Sequence, residues 1–133
     1  NVSANSNFNV VLENNAPTIV YTLINNGAQY TTSKDVFVRM SLTDDTGVTE
    51  SLFSTTANKT WDSSGWTAIP FSPASSIIST FSLDLEALGF TEGTCNVYAF
   101  IKDACQNVAN SAQTIIYDKT YAAMLVKNVK SVI

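Results

Sequence analysis

A chain of 133 residues can bury one hydrophobic core and is too short for two. Its net charge is −4 and its seven cations are scattered, so no basic stripe exists to hold phosphates, and nucleic acid is excluded as an expected partner. No apolar run approaches the roughly 20 residues of a membrane-spanning helix. A low charged fraction of 14%, with Ser, Thr and Asn filling the polar positions, suits an all-β extracellular, cell-surface or virion protein.

Residues 1 to 16 are polar apart from Phe8 to Leu12 and read as an N-terminal arm. A Met ahead of Asn1 would not be trimmed, so removal of an upstream segment is expected. Pro17 opens a strand over Thr18 to Ile24, and Asn25-Asn26-Gly27 is a turn that demands positive φ. Val36 to Leu42 alternates cleanly, with Val36, Val38, Met40 and Leu42 inward and Phe37, Arg39 and Ser41 outward. The polar stretch Thr43 to Gly47 is expected to be a loop, followed by a strand over Val48 to Ser54. Thr55 to Pro73 is irregular and aromatic, and Ile77 to Leu85 alternates again with Ile77, Phe81, Leu83 and Leu85 inward.

The longest signal is a hairpin. Thr94 to Lys102 alternates strictly, the turn centres on Asp103 to Asn107, and a second β-rich run ends at Tyr117. Cys95, Val97, Ala99 and Ile101 point to one side, and Asn96, Tyr98, Phe100 and Lys102 to the other. Cys95 and Cys105 sit at opposite ends of the first strand, too far apart for the less than about 7 Å that a disulfide needs, so no bridge is expected. Beyond Thr120 the tail is apolar from Ala122 to Val126 and reads as a C-terminal arm, 121–133, or an added strand.

Long alternating runs separated by turn signals predict an antiparallel sandwich of about seven strands. The segments INNGAQYTTSKDVFVRMSLTDDTGV and GTCNVYAFIKDACQNVANSAQTIIYDKT resemble the bacterial Ig-like repeat family of surface proteins, adhesins and phage virion proteins. The resemblance covers Pro17 to Thr120 and implies an Ig-like Greek-key fold acting as a non-catalytic spacer or binding module. Gln106 stands where that family has a turn glycine, and Phe100 where it commonly has a polar residue.

Histidine is absent, neither cysteine has a basic neighbour in sequence, and no phosphate-binding glycine loop or G-x-S-x-G elbow occurs, so no enzyme is expected. Asp44, Asp45, Asp103 and the Asn107 amide oxygen could converge on calcium if their loops lie at one end of the sandwich. The alternative is that the same acids bond to backbone N–H groups of their own turns. Trp61, Trp66 and Phe71 are candidates for a sugar-binding or protein-binding platform, or for a cover packed over the sheet. Tyr98 and Phe100 form an outward aromatic pair that something should cover: the chain's own tail (Met124, Leu125, Val126), another copy, or a different protein, with Leu52 or Phe53 sharing the patch. The expectation is a structural or interaction subunit that meets copies of itself or neighbouring subunits through this face and its arms. A carbohydrate-binding or adhesin domain using the 55–73 loop is the alternative.

Overall fold

A computed structural model describes residues 15–70 and 74–120. Met124, Leu125, Val126 and Phe71, and almost all of both expected arms, lie outside these residues. The described chain runs β1 (Thr18–Ile24), β2 (Tyr30–Thr31), β3 (Asp35–Ser54), β4 (Thr67–Ala68), β5 (Ala74–Asp84), a one-turn helix α1 (Leu85–Leu88), β6 (Gly93–Asp103) and β7 (Val108–Tyr117). The all-β expectation therefore holds.

The seven strands belong to one curled sheet organised by β3. Its first half lies between β1 and β5, pairing Thr43 with both Thr18 and Ser76. Its second half pairs with β6, Leu52 opposite Phe100, and with β4, Glu50 opposite Ala68. β7 follows β6, and β2 closes the order by running parallel to β7, Tyr30 beside Ile116. That one parallel pairing makes the sheet mixed where purely antiparallel pairing is expected. The curl brings β1 against β7, where Thr22 and Ser111 share a 2.7 Å hydroxyl hydrogen bond.

The stretch Thr43 to Gly47, expected as a loop, is carried inside β3 as an irregularity with a register shift. Its Asp, Thr and Gly composition is turn-prone, and the backbone uses it as a bulge. Asp44 Oδ2 accepts hydrogen bonds from the N–H groups of Thr46 and Gly47 at 3.0 and 2.9 Å, and Gly47 takes φ +98°. The turn at Asn25–Gly27 has the positive φ that its composition demands, 48°, 58° and 86° in order. Asn25 Oδ1 accepts the Phe37 N–H at 2.9 Å and so ties the turn to β3.

Alternation places the core. Val36, Val38, Met40 and Leu42 of β3 and Cys95, Val97, Ala99 and Ile101 of β6 are buried together with Ile115 and Tyr117 of β7. Each such aliphatic side chain contributes about 1.5 to 3 kcal/mol through loss of water contact. On β5, Leu83 is buried and Ile77 and Phe81 are partly buried against the core, while Leu85 is buried at the start of α1. Asp84 caps that helix by accepting the N–H groups of Glu86 and Ala87, and Gly89 ends it at φ +114°. Cys95 and Cys105 are free thiols, as their separation implies, and burial pushes the Cys95 thiol above its ordinary pKa.

Candidate interaction surface

Cross-strand partners share a face of the sheet. Leu52 with Phe100, Glu50 with Lys102 and Ser54 with Tyr98 therefore form the outer face of the β3–β6 half. Phe53 pairs with Ala99 and faces the other way, where its ring meets Phe81 edge-on at 5.4 Å. It is Leu52, not Phe53, that shares the outer patch.

That patch is not open. Phe100 is 1% exposed, although it lies outside the main core cluster, and Leu52 is buried beside it. The cover is the chain's own segment between β3 and β4, whose Trp61 and Trp66 sequence reasoning offered as a cover over the sheet without linking them to this patch. Gly65 sits against Leu52 so closely that a Cβ at residue 65 would lie 2.9 Å from Leu52 Cδ1, and its φ of +98° also favours glycine. The segment returns to the sheet at β4, and the Ile69 N–H bonds Thr49 O at 2.9 Å with the Ile69 side chain buried.

Lys102 fastens this cover. Its Nζ lies 2.9 Å from Glu50 Oε1, donates to Trp61 O at 3.0 Å, and stands 4.6 Å from the centre of the Trp66 ring. The Trp66 indole N–H donates to Thr60 O at 3.1 Å, and Ser63 and Thr60 close the turn between them. Trp66 is thus a half-buried part of the cover, while Trp61 keeps its ring outside, 51% exposed. Tyr98, half-buried, is the member of the outer aromatic pair that retains a wet surface. The signal for Lys102 lay in the sequence as a lysine at an outward strand position beside an aromatic loop, with Glu50 available as its counter-ion.

The expected calcium ligands occupy neighbouring turns, and two of them, Asp44 and Asp103, accept hydrogen bonds within their own turns. The Ala104 N–H bonds Gly47 O at 3.0 Å, so the β3 bulge and the β6–β7 turn do share one end of the sheet. Asp44 serves Thr46 and Gly47. Asp103, buried, accepts the Cys105 and Asn107 N–H groups at Oδ1, both at 2.8 Å, and the Asn107 side-chain amide at Oδ2. Asp45 is exposed. Among the described residues no group of three or more His, Cys, Asp or Glu side chains is placed to hold a metal ion.

Charged contacts at the opposite end pin elements together. Tyr117 O–H donates to Glu86 Oε2 at 2.7 Å, which raises the phenol pKa to about 12 and holds the Glu86 carboxyl below its ordinary range. Lys34 bridges Asp84 at 2.7 Å and Asp35 at 3.1 Å. The hydrogen bonds raise Lys34 above the ordinary lysine range, and the Lys34 bond, followed by the Ala87 N–H, lowers Asp84. Each of these groups is bonded to a neighbour in the fold.

The other half of the sheet presents a different outer face. Phe37, 62% exposed, and Ile78, 63% exposed, lie on one side of the β1–β3–β5 half, because Phe37 pairs with Ser82 and Ile78 with Ser41. Arg39 and Thr80 lie between them. Comparison of the chain with protein-family models, curated proteins and solved structures gives no match.

Proposed function

We propose that this chain is a non-catalytic Ig-like module serving as a structural or interaction subunit of an extracellular or virion assembly. The pairing order supports the Ig-like reading: β1, the first half of β3 and β5 correspond to one sheet of a sandwich, and β4, the second half of β3, β6, β7 and β2 to the other. The β3 bulge is the corner between them, and parallel β2 is the edge strand that passes from the first sheet to the second.

The observation that carries the contact surface is the paired exposure of Phe37 and Ile78 on a sheet face whose other side is core. Neighbouring copies or subunits meet this face, with the terminal arms adding reach. Light scattering across a concentration series tests it. Assembly that weakens in Phe37→Ser or on deletion of residues 121–133 is the expected result, and a monomer at every concentration, indifferent to both changes, removes the reading.

One observation favours a glycan-binding alternative: Trp61 holds an exposed ring on a segment whose backbone carbonyl is fixed by Lys102. A rigid aromatic at low entropic cost is what a sugar face stacks on. Signal on a glycan array that disappears in Trp61→Ala would select this reading over the first.

A further inference from the structure

We infer that Asn26 is a site of covalent self-modification: a flip of one peptide plane in the Asn25–Gly27 turn lets the Gly27 nitrogen attack the Asn26 side chain, converting it to aspartate and iso-aspartate. In the first step Gly27 N bonds Asn26 Cγ, the Cγ–Nδ2 bond breaks, and the amide nitrogen leaves as ammonia with the proton that Gly27 N gives up. Water then opens the five-membered succinimide at either carbonyl, leaving a carboxylate at residue 26 with the chain running through the main-chain carbon or, in the iso form, through Cγ. Asn26-Gly27 is the only Asn-Gly pair in the chain, and every other asparagine precedes a residue whose Cβ crowds the attacking nitrogen. Asn26, Gly27 and Ala28 are exposed, so water reaches the ring.

The turn stands one motion away from the reactive geometry. Asn26 at φ +58°, ψ +31° and Gly27 at φ +86° have the dihedrals of the two central residues of a type I′ turn. Ring closure needs Gly27 N eclipsed with Asn26 Cβ, which an L-residue reaches at ψ of about −120°, the value at the first central position of a type II′ turn. Asn26 already holds the φ that both turns share, about +60°. Only the peptide plane between residues 26 and 27 has to rotate, taking ψ of Asn26 through roughly 150° and φ of Gly27 from positive to negative. Glycine takes either sign of φ about equally well, so the second half of that change meets no steric penalty.

Neither anchor of the turn opposes the rotation. The closing hydrogen bond runs from the Ala28 N–H to Asn25 O at 3.2 Å, outside the moving plane, and is common to both turn types. Asn25 Oδ1 holds the Phe37 N–H at 2.9 Å, one residue ahead of that plane. The flip is therefore a motion within a closed turn, and its product belongs with minor conformers populated at about 0.1 to 10%. Asn26 lines one cleft with Phe37 and Arg39, so conversion places a new carboxylate in that cleft and adds one negative charge to a chain of net charge −4. No second protein takes part, so the reaction is independent of the proposed partner contact.

Peptide mapping by mass spectrometry on the full chain, aged at neutral pH in heavy-oxygen water, tests it. Residue 26 should take up heavy oxygen as a mixture of Asp and iso-Asp, ahead of every other asparagine. Its rate should lie within about 100-fold of that in the urea-unfolded chain, the reach of a conformer populated at about 1%. Hydroxylamine, which attacks the succinimide, should cut the chain between residues 26 and 27. A folded chain more than about 100-fold slower than the unfolded one overturns the inference, as does earlier conversion at another asparagine. Asn25→Gly keeps the positive φ and removes the Oδ1 anchor, and a flip inside the closed turn should change its rate by less than about tenfold, or 1.4 kcal/mol. A larger acceleration overturns the inference too, because the turn must then open before the nitrogen can attack. Failure of the partner reading would show instead in light scattering, with the conversion unaffected.

Discussion

The two outer faces of the sheet start from the same sequence pattern and end differently. On both, a strictly alternating strand directs a phenylalanine away from the core: Phe37 in the first half of β3 and Phe100 in β6. Phe37 stays 62% exposed, whereas Phe100 is 1% exposed. Alternation fixes the side of the sheet on which a residue lies, and it carries no information about what lies beyond. What lies beyond Phe100 is a segment seated by three features: Gly65 against Leu52, the Trp66 indole bonded to its own turn, and Lys102 reaching up to the Trp61 carbonyl. No such segment is described over Phe37, so that face is where a partner contact is sought.

Truncation of the covered ring tests this contrast most severely. Phe100→Ala should cost about 3 to 5 kcal/mol in urea unfolding, the loss expected for a fully buried aromatic. It should also shift tryptophan emission to the red, because the floor beneath the 55–66 segment is gone. A loss under about 1 kcal/mol would mean that the ring contributes as little as a surface residue.

The fastening comes next. Lys102 is 7% exposed and joins Glu50, a backbone carbonyl and an indole face, so Lys102→Ala removes a charge-assisted hydrogen bond and a cation–π contact together. A cost of about 2 kcal/mol is expected, with both tryptophans more open to acrylamide quenching. Because the pair is largely shielded, the wild-type stability should respond little to added salt. A variant with native stability and native quenching would show that the segment is held without Lys102.

Most of the fold was legible from residue pattern. The positions of β1 and β6, the core stripe of β3 and the positive-φ turn at Asn25–Gly27 follow from alternation and from Asn-Gly chemistry. The two-residue strands β2 and β4 were not legible, since two residues carry no period and their pairings are fixed by distant partners. Reading Thr43 to Gly47 as a loop missed that one Asp carboxylate, bonding two backbone N–H groups, lets a strand absorb a turn-prone stretch. The candidate site was legible only as a question. That an outward aromatic pair needs a cover followed from the cost of leaving it wet, but identifying the cover required the path of a loop whose spacing is irregular. The calcium expectation rested on two turns sharing an end, which they do, and the alternative on acids bonding their own turns, which Asp44 and Asp103 also do.

A smaller effect separates turn strain from surface packing. Gln106 holds φ +72° in the β6–β7 turn, where a side chain costs about 1 to 2 kcal/mol and glycine costs none. Glycine loses roughly 0.5 to 1 kcal/mol more backbone entropy on folding. Gln106→Gly should therefore raise stability by about 0.5 to 1 kcal/mol in thermal melts, and a fall would show that contacts of the glutamine side chain outweigh its strain.

The smallest stability effect belongs to Phe37, and it sharpens the opening contrast most. Replacing a ring that already faces water removes little burial, so Phe37→Thr should change unfolding free energy by no more than about 0.5 kcal/mol. Threonine keeps the β-branched shape that an extended strand favours and retains the backbone N–H that bonds Asn25 Oδ1. Stability and association then separate. If the face binds a neighbour, association weakens while the melt of the isolated domain stays in place, the reverse of what Phe100→Ala does. A loss of 2 kcal/mol or more would instead mean that Phe37 is packed in solution against some part of its own chain, and the two faces would be alike after all.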